Sequence, residues 1–209
     1  MTPDPILKIC GITRLTDALH AVREGATAIG FVFWPGSPRF VDAALAGEIS
    51  AALPATVTTV GVFVNASVDG IRRTVRTAGL RMVQLHGEEP PDYVDQIEQP
   101  VMRSATLDTV VETAHAWPAD TTFLLDSTDP GRDGGARAAI DWSRAAIVAR
   151  ERRVVLAGGL TPQNIEEAIM TVRPFGVDVS SGVESAPGVK DFGKVALFLA
   201  NARAAFTRR

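Results

Sequence analysis

Apolar and polar positions along this chain follow two alternating rhythms. Short apolar, β-branched runs fall at residues 6–10, 28–33, 57–64, 81–86, 101–105, 122–127, 154–158 and 176–180. An amphipathic or alanine-rich stretch follows each run, at residues 16–24, 42–53, 68–78, 90–97, 108–116, 142–150, 162–172 and 191–205. The first set reads as strands and the second as helices. Strict strand–helix alternation predicts a parallel sheet covered by helices. Eight units predict an α/β fold of the closed (β/α)8 TIM-barrel type, as a single domain over residues 1–209. A doubly wound open sheet is the alternative, but it usually has fewer strands and an early glycine fingerprint. Thr161-Pro162 supplies a cap and a first-turn proline for the seventh helix, and Asp191 precedes the eighth.

In such a barrel the chemistry sits at the C-terminal ends of the strands. Lys8 and Cys10 share one parity on strand one, and Gln84 and His86 share one on strand four. Arg103 lies in strand five, Asp126 ends strand six, and Asp178 and Ser180 share a parity on strand eight. A polar side chain is costly against the apolar faces of the helices, so all of these are expected to point inward.

Cys10, the single cysteine, stands at a strand end before Gly11. A free cysteine more often behaves as a small buried hydrophobe. Its placement, and Lys8 on the same face to favour the thiolate, argue for a base instead. Asp126 ends the run Phe123-Leu124-Leu125 and has a bland reading as a loop cap or ion-pair partner. Partial desolvation there would let a carboxyl donate a proton.

Two loops read as a phosphate cradle, one through Gly158 and Gly159, the other through Ser180, Ser181 and Gly182. Glycines let backbone N–H groups approach an anion, and barrels often bind phosphate after their last two strands. One Gly-Gly alone is only a tight turn. Arg39, after Pro35 and Pro38, offers a planar fork that matches a carboxylate, although a solvated surface arginine is the commoner fate. His86 reads first as a hydrogen-bonded structural histidine; with Lys8 and Asp178 it forms the wider candidate pocket.

Composition narrows the partners. The net charge of −3 gives no electrostatic case for nucleic acid or acidic membranes. No apolar run is long enough to span a bilayer, and Met1-Thr2-Pro3-Asp4-Pro5 lacks signal-peptide character. One cysteine and three scattered histidines do not make a metal cluster. A cytoplasmic protein is therefore expected, with a small phosphorylated ligand and no metal. A monomer is the expected state, with a dimer as the alternative.

Taken in order, several segments resemble the phosphoribosylanthranilate isomerases of tryptophan biosynthesis. They are Lys8-Ile9-Cys10-Gly11-Ile12-Thr13, Ser37-Pro38-Arg39-Phe40, Val60-Gly61-Val62-Phe63-Val64-Asn65 and Val83-Gln84-Leu85-His86-Gly87. Leu124-Leu125-Asp126-Ser127, Leu156-Ala157-Gly158-Gly159-Leu160-Thr161 and Val177-Asp178-Val179-Ser180-Ser181-Gly182-Val183-Glu184 continue the match. The resemblance implies a cofactor-free Amadori rearrangement of a phosphorylated aminoaldose. It places the general base on Cys10, the general acid on Asp126, the carboxylate contact on Arg39 and the phosphate on the two glycine loops. One departure stands out. The family usually carries Gly-Gly-Thr-Gly after strand six, whereas this chain reads Gly134-Gly135-Ala136-Arg137. Two rivals remain: the histidine-pathway sugar isomerase, disfavoured by Cys10 where an aspartate is expected, and a non-catalytic binder, supported only by Ala136-Arg137.

Overall fold

Eight parallel strands hydrogen-bond in chain order, and the eighth pairs back to the first, closing a barrel. They are β1 (Ile6–Cys10), β2 (Ala28–Val32), β3 (Thr58–Phe63), β4 (Met82–Leu85), β5 (Val101–Ala105), β6 (Thr122–Leu125), β7 (Val154–Leu156) and β8 (Gly176–Val179). The computed structural model describes residues 4–127 and 140–209. Its α-helices are α1 (Leu15–Arg23), α2 (Ala43–Ala51), α3 (Val68–Ala78), α4 (Val110–Ala116), α5 (Trp142–Glu151), α6 (Ile165–Val172) and α7 (Phe192–Arg208).

Side-chain alternation divides the apolar residues into two bodies. Between strands and helices lies a large core that includes Leu7, Ile9, Ile29, Phe31, Phe123, Val177 and Phe198, all nearly or wholly buried. Inside the barrel a smaller plug of Met102, Leu124, Val155 and Ala157 fills the space, with Ile6 and Met82 packed on it. Apolar side chains cannot solvate a charge, so buried polar side chains on inward positions need partners. Phe198 of α7 is wholly buried in the outer core. Phe198→Ala is expected to cost about 3–5 kcal/mol, measured by denaturant unfolding.

Two expectations change in detail. The fourth helical stretch is a short 3₁₀ helix, Pro91–Asp95, with Pro90 at its N-cap. The seventh helix opens at Ile165, and Thr161–Asn164 form a preceding turn in which Asn164 Oδ1 accepts from Thr161 N at 2.8 Å. Asp191 behaves as expected: it caps α7, accepting from Lys194 N at 2.9 Å.

The chain also carries a small antiparallel hairpin, β9 (Glu184–Ala186) with β10 (Val189–Lys190). Arg103 overturns the inward assignment. Its neighbours Met102 and Ser104 point into the barrel, and Arg103 points out, with its guanidinium 5.3 Å from the Trp117 ring. Glu89 makes that position tolerable, accepting from Arg103 NH1 at 3.1 Å. Among the described residues no helix is long and apolar enough to cross a membrane.

A cavity of about 220 Å³ opens at the N-terminal end of the barrel, between Ile6, Thr58, Val60, Met82 and Met102. It reaches Lys8 from below. Chemistry on this fold belongs to the opposite end.

Candidate active site

Cys10 ends β1, and Gly11 follows it with a φ of 72°. Two residues earlier on the same face, Lys8 is wholly buried. Lys8 lies directly opposite Asp178 of β8, and its Nζ donates to Asp178 Oδ2 at 2.9 Å. Burial pushes the Cys10 thiol up, Lys8 pulls it down, Asp178 pushes it up again, and the net is upward. Lys8 therefore favours the thiolate as expected, but burial and Asp178 outweigh it.

Asp126 is the first residue after β6 and is half-buried, with its backbone N–H donating to Ala105 O at 3.1 Å. Its negative charge is felt by two buried neighbours. Burial raises the Asp178 carboxyl above the usual range, Lys8 opposes this, and Asp126 adds to it. Burial lowers His86, and Asp126 opposes that shift. Cys10 and Asp126, 116 positions apart in the chain, thus both lie in the field of Asp178.

His86 is the first residue after β4. Its Nδ1 lies 2.9 Å from Gln84 Nε2 and 2.9 Å from Ser104 Oγ, and Gln84 Nε2 donates to Ser104 Oγ at 3.2 Å. Ser104 is a member that sequence reasoning missed; its inward parity on β5 beside Met102 is the signal that would have found it.

The glycine loops meet. Gly158 and Gly159 hold φ values of 78° and 72°, a left-handed conformation that side chains with a Cβ rarely adopt. Gly182 packs so closely on the carbonyl oxygen of Leu160 that a Cβ there would collide with it. Two hydroxyls border these loops without a hydrogen-bond partner, Ser127 Oγ and Ser180 Oγ, both buried. A Cβ on Gly158 would come within 2.9 Å of Ser127 Oγ, which places that hydroxyl against the cradle. Ser127 carried no signal in the sequence beyond following Asp126.

Arg39 holds a partner that the sequence reading did not anticipate. Its Nε and NH2 donate to Glu184 Oε1 and Oε2 at 2.8 and 2.6 Å, a bidentate pair. Glu184 Oε1 also accepts from Lys190 Nζ at 2.8 Å, and Lys190 Nζ donates to Ser180 O at 3.2 Å. The guanidinium is thus fixed along one edge and reaches a ligand only with its remaining N–H groups. The hairpin that brings Glu184 and Lys190 together was legible in Pro187-Gly188, a turn pair between two short runs.

Burial raises the Glu184 carboxyl, but its bonds to Arg39 and Lys190 carry it below the ordinary glutamate range. A depressed folded value means that its stabilisation is present above the ordinary range and disappears as pH falls through the folded value. Denaturant titrations from about pH 6 to pH 3 should show that loss in the parent chain and a smaller one in Glu184→Gln.

Among the described residues no group of three or more His, Cys, Asp or Glu is placed to hold a metal ion.

A family model described as N-(5'phosphoribosyl)anthranilate (PRA) isomerase matches residues 7–201. The chain belongs to this family. An N-(5'-phosphoribosyl)anthranilate isomerase of Geobacter sp. (strain M21) is 46% identical over 199 residues, covering 94% of this chain and 97% of its own length. Phosphoribosyl anthranilate isomerase from Thermotoga maritima superposes with a TM-score of 0.87 at 41% identity, covering 95% of this chain and 98% of that one. A crystal structure of a phosphoribosyl anthranilate isomerase in complex with reduced 1-(o-carboxyphenylamino)-1-deoxyribulose 5-phosphate superposes with a TM-score of 0.85 at 40% identity, again over 95% and 98% of the two chains.

Arg39 and Ser180 pack over Gly11, where a Cβ would lie 2.5 Å from Arg39 Cδ and 3.0 Å from Ser180 Oγ. The departure at Gly134-Gly135-Ala136-Arg137 lies outside the described residues.

Proposed function

We propose that this chain converts N-(5-phosphoribosyl)anthranilate to 1-(o-carboxyphenylamino)-1-deoxyribulose 5-phosphate, the Amadori step of tryptophan biosynthesis. What supports this reading is that a strand-end thiol and a strand-end carboxyl both act electrostatically with buried Asp178, alongside Arg39 and two touching glycine loops. Family membership supplies the substrate class.

The roles follow from chemistry. Asp126, protonated, gives its proton to the ribose ring oxygen. The C1–O bond breaks, and the nitrogen lone pair forms a C1=N iminium. The cationic nitrogen acidifies the C2–H bond. Cys10, as thiolate, takes that proton, and the C–H electrons form C1=C2 while the C=N π pair returns to nitrogen. The resulting enolamine gives its O2 proton to water and takes one from water at C1, giving the ketone. The iminium serves as the electron sink. Arg39 holds the anthranilate carboxylate with the N–H groups that Glu184 leaves open. Backbone N–H groups around Gly158, Gly159, Ser180, Ser181 and Gly182 hold the phosphate, with Ser127 and Ser180 hydroxyls beside them.

The test is direct. Purified protein mixed with N-(5-phosphoribosyl)anthranilate should abolish the substrate's fluorescence as it is consumed. Tight product binding without decay above background would sink the isomerase reading in favour of a binder.

A further inference from the structure

The proton transfers above leave the Lys8–Asp178 pair without a task. Both side chains lie inside the barrel, Lys8 wholly buried and Asp178 7% exposed. Burying an ion pair costs desolvation that its mutual attraction often fails to recover, and an apolar pair of similar volume serves packing as well or better. Leu124, Val155 and Met102 fill the same interior without any charge. Asp178 uses only one oxygen on Lys8; Oδ1 is buried without a hydrogen-bond partner.

A second observation ties the pair to the thiol. Cys10 lies opposite Gly30 of β2 in the strand register. A Cβ on Gly30 would sit 2.9 Å from Cys10 Sγ, 3.1 Å from Lys8 Cε and 3.1 Å from Lys8 Nζ. Sulfur and ammonium therefore share one notch, open only because β2 carries a bare Cα there. Any larger residue at position 30 would push the two groups out of it.

We propose that Lys8 is a positioning residue for Cys10: its ammonium, pinned by Asp178 in the Gly30 notch, stabilises the thiolate, and Asp178 sets how much of that charge reaches the sulfur. This rests on the reading of Cys10 as the base. The charged groups facing the thiol are Lys8 on its own strand, Asp178 on β8, Lys190 on β10 and Arg39 on the loop after β2. Lys8 and Lys190 favour the thiolate, and Asp178 opposes it. Removing Lys8 should therefore make the thiol harder to ionise. Removing the charge of Asp178 should make it easier, provided that Lys8 remains.

The single cysteine makes the thiol readable without turnover. The pH dependence of iodoacetamide alkylation, followed by intact mass, and the ultraviolet absorbance of the thiolate both report on Cys10 alone. Lys8→Met should move the ionisation midpoint up by about one pH unit or more, and Asp178→Asn should move it down by a comparable amount. The rising limb of the pH profile of kcat/KM should move in the same directions. A merely structural role gives no such opposed pair of shifts. Should Lys8→Met not fold, Asp178→Asn decides alone, since asparagine keeps the shape and a hydrogen-bond acceptor for Lys8.

Unmoved midpoints together with an inactive Cys10→Ala variant overturn the positioning role and leave the base assignment standing. Shifted midpoints together with a fully active Cys10→Ala variant overturn the base assignment and, with it, any catalytic meaning for Lys8.

Discussion

Cys10→Ala is expected to lower kcat by about 10²-fold or more while leaving the affinity for a reduced product analogue nearly unchanged. A general base acts only as the C–H bond breaks, so its loss falls on the transition state rather than on ground-state binding. Affinity survives because the groups proposed to hold the ligand's charged ends lie elsewhere. Arg39 is anchored by Glu184, and the glycine loops by their mutual contact. Little cavity opens either, since the side chain loses one sulfur atom at a strand end. Cys10→Ser separates shape from ionisation: it nearly preserves volume but replaces the thiol with a hydroxyl that does not ionise near neutral pH, and it should be almost as inactive as alanine. Steady-state fluorescence kinetics with calorimetric titration of the analogue checks both variants. Near-normal turnover in either one removes Cys10 from the mechanism.

Asp126→Asn should bring a loss of similar size, about 10²-fold or more in kcat, by a different route. The amide keeps the carboxyl's shape and leaves the backbone bond from Asp126 N to Ala105 O in place. What it cannot do is give a proton to the ribose ring oxygen. Ring opening then has to proceed with a poorer leaving group, and the iminium that acidifies C2 forms too slowly. Unchanged turnover assigns the acid to another group. His86, whose ionisation responds to the charges of Asp126 and Asp178, is then the group to test.

Much of the barrel was legible because its evidence is local. Period-two apolar runs and the stretches after them locate all eight strands within a few residues, since a strand buried on both faces needs apolar residues on both parities. Arg103 shows where that logic fails. A lone arginine on a strand looks expensive against helices, and the sequence does not reveal that Glu89 and Trp117 wait on the outer side to receive it. The 3₁₀ helix at Pro91–Asp95 is a milder case, a shorter element than the pattern over residues 90–97 suggests.

The site divides along the same line. Cys10, Asp126 and the glycines announce themselves by strand-end position and by residue type. Glu184 did not, because its meaning depends on Arg39, 145 positions away. Lys8 and Asp178 could be placed on inward parities, but their 2.9 Å pairing needs the closure of β8 on β1. Nothing local marks Gly30, because its importance depends on Cys10 across the strand register.

By itself, then, the sequence determined the number and order of the strand–helix units, the candidate residues at the strand ends, and the family resemblance. Each of these depends on spacing within a few residues, where periodicity and turn chemistry act directly. Only the tertiary structure decided which charges face which: Arg39 locked to Glu184, Lys8 shared between Asp178 and the notch at Gly30, and the thiol pushed upward by burial rather than drawn down. The physical reason is that ion pairing and desolvation depend on distance in space. Closing the barrel brings together residues between which the linear chain shows no relation.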